Sequence, residues 1–200
     1  MPWRASLTIL ALLCLYGGWQ SWQQRELHQP PGVLVDALPL QEMLEVPVET
    51  LKKHGFDLLP QARYDIEARL LSRERYYLGV GARLAPLDFA LGWGVMSDSA
   101  VLDTIEVSQS ARYFHVRWER APVDAEQIMH NSANMHLIAA DSSIQRRLDS
   151  MRPGQHIRLQ GFLVNARREE DGWRWKTSLS RTDSGAGACE LMWVQQADLL

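Results

Sequence analysis

The chain has 200 residues, 46% apolar and 22% charged, globular proportions that exclude a disordered, collagenous or multi-spanning membrane chain. Lys and Arg number 21 against 24 Asp and Glu, a net charge of −3, so no global basic field exists to gather nucleic acid. Eight Trp, and a basic set of 18 Arg to 3 Lys, are the departures from average.

After residues 1–4, the run Ala5 to Trp22 (ASLTILALLCLYGGWQSW) carries no charge; as a helix it would span about 27 Å, nearly the hydrocarbon of a bilayer. Tyr16, Trp19 and Trp22 crowd its far end, where amphipathic rings favour the headgroup layer, and no small-x-small cleavage site follows the most apolar part, Leu7 to Tyr16. The expectation is a retained signal anchor over 5–22 with a cytoplasmic tip at 1–4. In a Gram-negative cell the rest of the chain is then periplasmic, with the inner membrane as its single-pass support. Cys14 follows Leu13, where lipid attachment wants a small residue, so lipidation is not expected.

Residues 23–60, opened by Gln29-Pro30-Pro31-Gly32 and punctuated by acids and prolines, read as an extended spacer. The domain is expected over 61–196, with a tail at 197–200. Its first strand shows where Tyr64, Ile66, Ala68 and Leu70 alternate with Asp65, Glu67 and Arg69. Residues 86–105 combine a Gly-Trp-Gly turn with a short helical pattern that Ser97 or Asp98 can cap. A strand is predicted from Arg112 to Trp118. Asp141 opens a helix whose Ile144, Leu148 and Met151 recur at i, i+4 and i+7, and Pro153-Gly154 stops it. Alternation over Gln155–Val164 and Trp173–Leu179, joined by a charged turn, predicts a hairpin with Gly161 at a bend. A last strand runs from Cys189 to Val194, with Cys189, Leu191 and Trp193 on one side. Short strands outnumber helices, so the expected class is α+β: an antiparallel, curved sheet, as in a small OB-like barrel, with one or two short helices behind an N-terminal transmembrane helix.

Two stretches concentrate chemistry. MetHisAsnSerAlaAsnMetHis at 129–136 offers sulfur and imidazole; Met129, His130, Met135 and His136 together would suit copper, or zinc with less fit to its usual spacings. The plainer reading makes Asn131, Ser132 and Asn134 turn residues, with Met135 and Leu137 packed inward. Cys189 is the one thiol in the exported part, so it has no intramolecular disulfide partner there. The preceding loop at 183–188 could bring backbone N–H groups beside it, and with His136 or His130 as base and Asn134 or Asp183 orienting that base, a cysteine hydrolase or transpeptidase can be drawn. The competing reading is a small core residue.

Elsewhere the surface readings prevail. Asp65 and Glu67, and His115 and His156 alternating with Arg117 and Arg158, fit solvated strand faces. Trp118, Trp173, Trp175 and Trp193 fit core packing, and Glu169, Glu170 and Asp171 dilute any basic patch of Arg158, Arg174, Lys176 and Arg181.

The segments PPGVLV (30–35), LGWGVMSD (91–98), HNSANMHLI (130–138) and SGAGACE (184–190) resemble those of a bacterial family of short, membrane-anchored proteins, over roughly residue 30 onward. The resemblance implies an exported, single-anchor protein and brings no catalytic residue. The functional expectation is a non-catalytic binding or accessory module for a protein partner or envelope component, without cofactor or nucleic acid. Its rivals are the cysteine enzyme at Cys189 and a copper or zinc site at 129–136.

Overall fold

The computed structural model describes residues 6–8, 10–12, 14–18, 25–180 and 188–200. Residues 6–8, 10–12 and 14–18 are helical, and among the described residues no helix is long and apolar enough to cross a membrane. The expected anchor falls partly outside the described residues, at 5, 9, 13 and 19–22.

The protein is mixed α+β, a large curved sheet with a few short helices. Its strands are β1 (Leu40–Met43), β2 (Leu51–Lys53), β3 (Phe56–Arg75), β4 (Leu87–Gly92), β5 (Ile105–Ser110), β6 (Tyr113–Trp118), β7 (Ser132–Ala139), β8 (His156–Arg167), β9 (Arg174–Trp175) and β10 (Glu190–Leu199). The helices are α1 (Val80–Leu84), α2 (Ser99–Leu102), α3 (Ala125–His130) and α4 (Ser142–Ser150), with a 3-10 turn at Gly94–Ser97. Pairing runs β3–β4–β7–β10–β8, and β8 pairs back to β3, so these five strands form a closed ring. Every neighbouring pair in it is antiparallel except β7 with β10, which is parallel. A separate hairpin, β5–β6, is inserted between β4 and β7.

Alternation divides the side chains into two cores. Tyr64, Ile66, Ala68 and Leu70 of β3 join Leu87, Phe89, Leu91, Met135, Leu137, Leu159, Met192 and Val194 in the cluster that all five ring strands share. Helix α4 adds Ile144 and Leu148, with Met151 behind them, and Asp141 caps it by accepting from the backbone N–H of Ser143 and Ile144 at 2.7 and 3.0 Å. On the opposite face lies a second cluster: Phe56, Leu58, Ile138, Phe162, Val164, Leu191 and Trp193, with Trp173 and Trp175 against it. A register shift between Pro60 and Ala62 moves β3 from one cluster to the other, because one extra residue reverses the pleat.

Gly161 sits where the ring bends, beside the shift between Val194 and Gln196; a Cβ there would lie 1.9 Å from the Trp193 carbonyl oxygen. Residues 25–36, read from the sequence as spacer, lie along the ring. Buried Arg69 reaches Glu26 at 2.9 Å, Leu27 donates to the Pro153 carbonyl at 2.8 Å, and the Ser97 hydroxyl accepts from Val35 at 3.0 Å. Strands β1 and β2 also add to β3, so the sheet takes in residues 40–43 and 51–53.

Candidate functional site

The outer face of β4 and β7 carries polar side chains where the second core would otherwise continue. Register places Asp88 opposite His136 and Ala90 opposite Asn134, and the parallel partner β10 sets Leu191 beside His136. Asp88, Asn134 and His136 are all buried. A buried carboxylate must be matched by charge and hydrogen bonds. Asp88 Oδ1 accepts from Arg112 Nη1 at 2.6 Å, while Oδ2 lies 2.9 Å from His136 Nδ1.

Arg112 is the hub of this cluster. It stands with Ala111 at the tip of β5–β6, and both have left-handed backbones, φ +73° and +50°. A two-residue hairpin turn needs that geometry, ordinarily supplied by Asn-Gly. Its backbone N–H donates to the Tyr76 hydroxyl at 2.9 Å, and its carbonyl accepts from Asn134 Nδ2 at 3.0 Å. Its guanidinium also donates to the Ala85 carbonyl at 2.9 Å and lies 3.9 Å from the Tyr76 ring centre and 5.5 Å from a Trp175 ring. The Trp175 and His136 rings are tilted together, centres 4.6 Å apart. Burial raises the Tyr76 phenol above its usual range; burial, with the Asp88 charge second, raises the carboxyl of Glu74, which faces Asp88 across the strands.

Cys189, just before β10, enters the same neighbourhood. Its sulfur accepts from Asn134 Nδ2 at 3.5 Å and lies 3.9 Å from the Arg112 carbonyl, to which the thiol can donate. No hydrogen bond joins it to His136, although both are described. Ser178 donates to the Cys189 carbonyl at 3.1 Å and Thr177 Oγ1 accepts from Leu191 N at 2.9 Å, so the connection carrying Trp175 is fastened to the start of β10. Three connections therefore meet on one sheet face: β3 to β4 with Tyr76, β4 to β7 with Gln109 and Arg112, and β8 to β10 with Trp175 and Cys189. Gln109 Nε2 completes the set, donating to Asn134 Oδ1 at 2.7 Å.

No family model matches the chain, and no curated protein or solved structure matches it. The site therefore rests on its own geometry.

The sequence-read candidates are distributed as follows. Cys189, Asn134 and His136 come together. Asn134, drawn as the residue orienting a histidine base, bonds Gln109, Arg112 and Cys189 instead, and Asp88 is the group at the imidazole. Asp183 and Arg181 lie outside the described residues. Of the expected metal ligands, Met129 and His130 are exposed on α3, Met135 is buried in the shared cluster, and His136 faces the opposite side of β7. Among the described residues, no three His, Cys, Asp or Glu side chains are grouped to hold a metal. Asn131 and Ser132 do close the end of α3, by donating to the carbonyls of Gln127 and Ile128, both at 2.7 Å.

Asp88, Arg112 and Tyr76 were missed by sequence reasoning. Asp88 lies in an entirely buried strand, and the one available signal was a lone acid inside the apolar run LeuAspPheAlaLeu. Elsewhere Asp65 receives two hydrogen bonds from Arg158, 2.9 and 2.7 Å, which with Gln160 hold its carboxyl below the usual range. A groove of about 420 Å³ runs beside that pair, lined by Leu40, Arg63, Asp65, Gln160 and Gln196.

Proposed function

We propose that the chain is a non-catalytic binding module held on the outer side of the inner membrane by its first 22 residues, serving a protein partner or envelope component. The ring order, with the third and fifth ring strands in sequence parallel and α4 between the third and fourth, corresponds to a five-stranded barrel of the OB type. Such barrels bind through the face of their second and third strands and the adjoining loops. The observation that carries the reading is the meeting of three connections on the β4–β7 face around Arg112. Half-buried Tyr76, Trp175, Gln109 and Arg112, lying over buried Asn134, offer aromatic planes, an amide and a guanidinium to polar, partly planar groups. Among the described residues, the hydrogen bonds of the thiol go to an amide and a carbonyl, which favours this reading over the enzyme.

The test is site-specific photocrosslinking in cells with the full chain. A photoreactive residue at Trp175 should capture a discrete partner that one at Glu42, on β1, does not; equal capture from both positions ends the assignment. In parallel, Cys189→Ser should keep that crosslink, whereas its loss in a folded variant would favour the cysteine enzyme. Added copper or zinc should leave the melting temperature unchanged, since a metal bound only by the native state would raise it.

A further inference from the structure

The connection from β3 to β4 turns its two tyrosines opposite ways. Tyr76 points into the cluster at Arg112, while Tyr77 and Leu78 point out of the molecule, 63% and 90% exposed. Leu78 is the most exposed large apolar side chain among the described residues, and Gly79, at φ +89°, makes the turn that presents it. The Tyr77 hydroxyl is hydrogen-bonded to that of Tyr16 at 2.8 Å, which ties the tip to the uncharged N-terminal stretch. In that stretch Leu7, Leu10, Leu12 and Leu15 are each more than half exposed among the described residues. Arg83, exposed at the end of α1, has no ion-pair partner among the described residues.

We propose that the Tyr77–Leu78 tip is a second membrane contact, seated in the interface of the leaflet from which the first residues emerge. The proposal rests on the reading of 5–22 as the anchor. Its occupant is a lipid surface rather than a protein, for two reasons. A two-residue tip is far smaller than a stable protein interface, which takes roughly 20–30 residues a side. The tip is also bonded to Tyr16, and a tyrosine at the end of an inserted apolar run lies at headgroup depth. Leu78 then meets the upper acyl region, Tyr77 the headgroup layer, and Arg83 is free to reach lipid phosphate.

The experiment uses the full chain in nanodiscs containing anionic lipid, with Cys14→Ser and Cys189→Ser in the background. An environment-sensitive fluorophore is attached to a single cysteine at Leu78→Cys, Leu12→Cys or Glu42→Cys, and quenched by nitroxide carried on the upper acyl chain. Labels at positions 12 and 78 should brighten severalfold over the same chain in mild detergent-free buffer with lipid withheld, and both should be quenched; the label at 42 should do neither. A label at 12 in lipid with one at 78 in water overturns the tip contact and leaves the anchor standing. A label at 12 in water overturns the anchor, and the tip contact falls with it.

Discussion

Asp88 places a carboxyl group at the second position of a strand whose six residues are all buried, with Arg112 and His136 beside it. Removing one member of such a set leaves the others desolvated and unmatched. Asp88→Ala is therefore expected to destabilise the domain by about 3 kcal/mol, at the low end for buried pairs because Arg112 stays partly solvated; chemical denaturation measures it. Asp88→Asn should lower the Glu74 pKa toward its ordinary value, since one of its two causes, the facing charge, is gone; carboxyl NMR titration reads this directly. Ala111 offers the opposite sign. At φ +50° an alanine bears the left-handed penalty that glycine escapes, so Ala111→Gly should stabilise by up to about 1 kcal/mol. A destabilised variant would show that the hairpin tip is held by something other than backbone preference. This scale was the least legible beforehand. Cys189, Asn134 and His136 stood out by type, but their partners Asp88 and Arg112 come from chain segments that only folding brings near.

Among the elements, those whose local rules agree with their tertiary role were the readable ones. Helix α4 has its cap, its i, i+4 apolar pair and its Pro-Gly stop within residues 141–154. The first half of the long strand β3 was hidden because Pro60 stands inside it, where a proline argues against a strand, and β4 because a strand buried on both faces shows no alternation. Trp173–Leu179, expected as a full strand, pairs only through Arg174–Trp175; Thr177 and Ser178 bond to the start of β10 instead. Gly161→Ala should cost about 1–3 kcal/mol, since its Cβ meets a backbone carbonyl that cannot turn aside; unchanged thermal melting would mean that the bend is softer than it looks. The strap at 25–36 carries a pH dependence. Asp98 accepts from Gly32 and Ala100 N–H, which holds its carboxyl below the ordinary 3.8. Its charged form is the bonded one, so the unfolded chain takes up protons more readily, and stability rises with pH across this window. The contribution is complete above the ordinary value and fades as pH falls through the folded one. Hydrogen-exchange protection at residues 32–35, taken relative to the intrinsic rate at each pH, should fall below pH 4 in the wild type, and Asp98→Asn should already show reduced protection at pH 7.

Taken whole, the molecule places its polar cluster one residue away from its exposed Tyr77–Leu78 tip, because Tyr76 and Tyr77 are neighbours in one turn. That the chain is a curved, mostly antiparallel sheet was legible from strand spacing. The parallel closure of β7 with β10, which builds the cluster, was not, since no local pattern specifies which strand a segment will join. If Tyr77 and Leu78 rest in the headgroup layer, a partner of the β4–β7 face meets it at the bilayer surface, as a membrane protein or lipid-linked component would. Two tethers then hold the site at that height: the anchor leading into the strap at Glu26, and the tip. Ten Gly/Ser residues inserted before Arg25 would relax the first by roughly 17 Å of root-mean-square reach, taking 5–6 Å times the square root of length. The insertion alone should leave the Trp175 crosslink intact, because the tip still holds the domain down. Combined with Leu78→Asp it should reduce that crosslink sharply, while the melting temperature of the domain stays where it was. Retention of the crosslink in the double variant would mean that the partner reaches the site from the aqueous side, and that the closeness of Tyr76 to Tyr77 has no bearing on recognition.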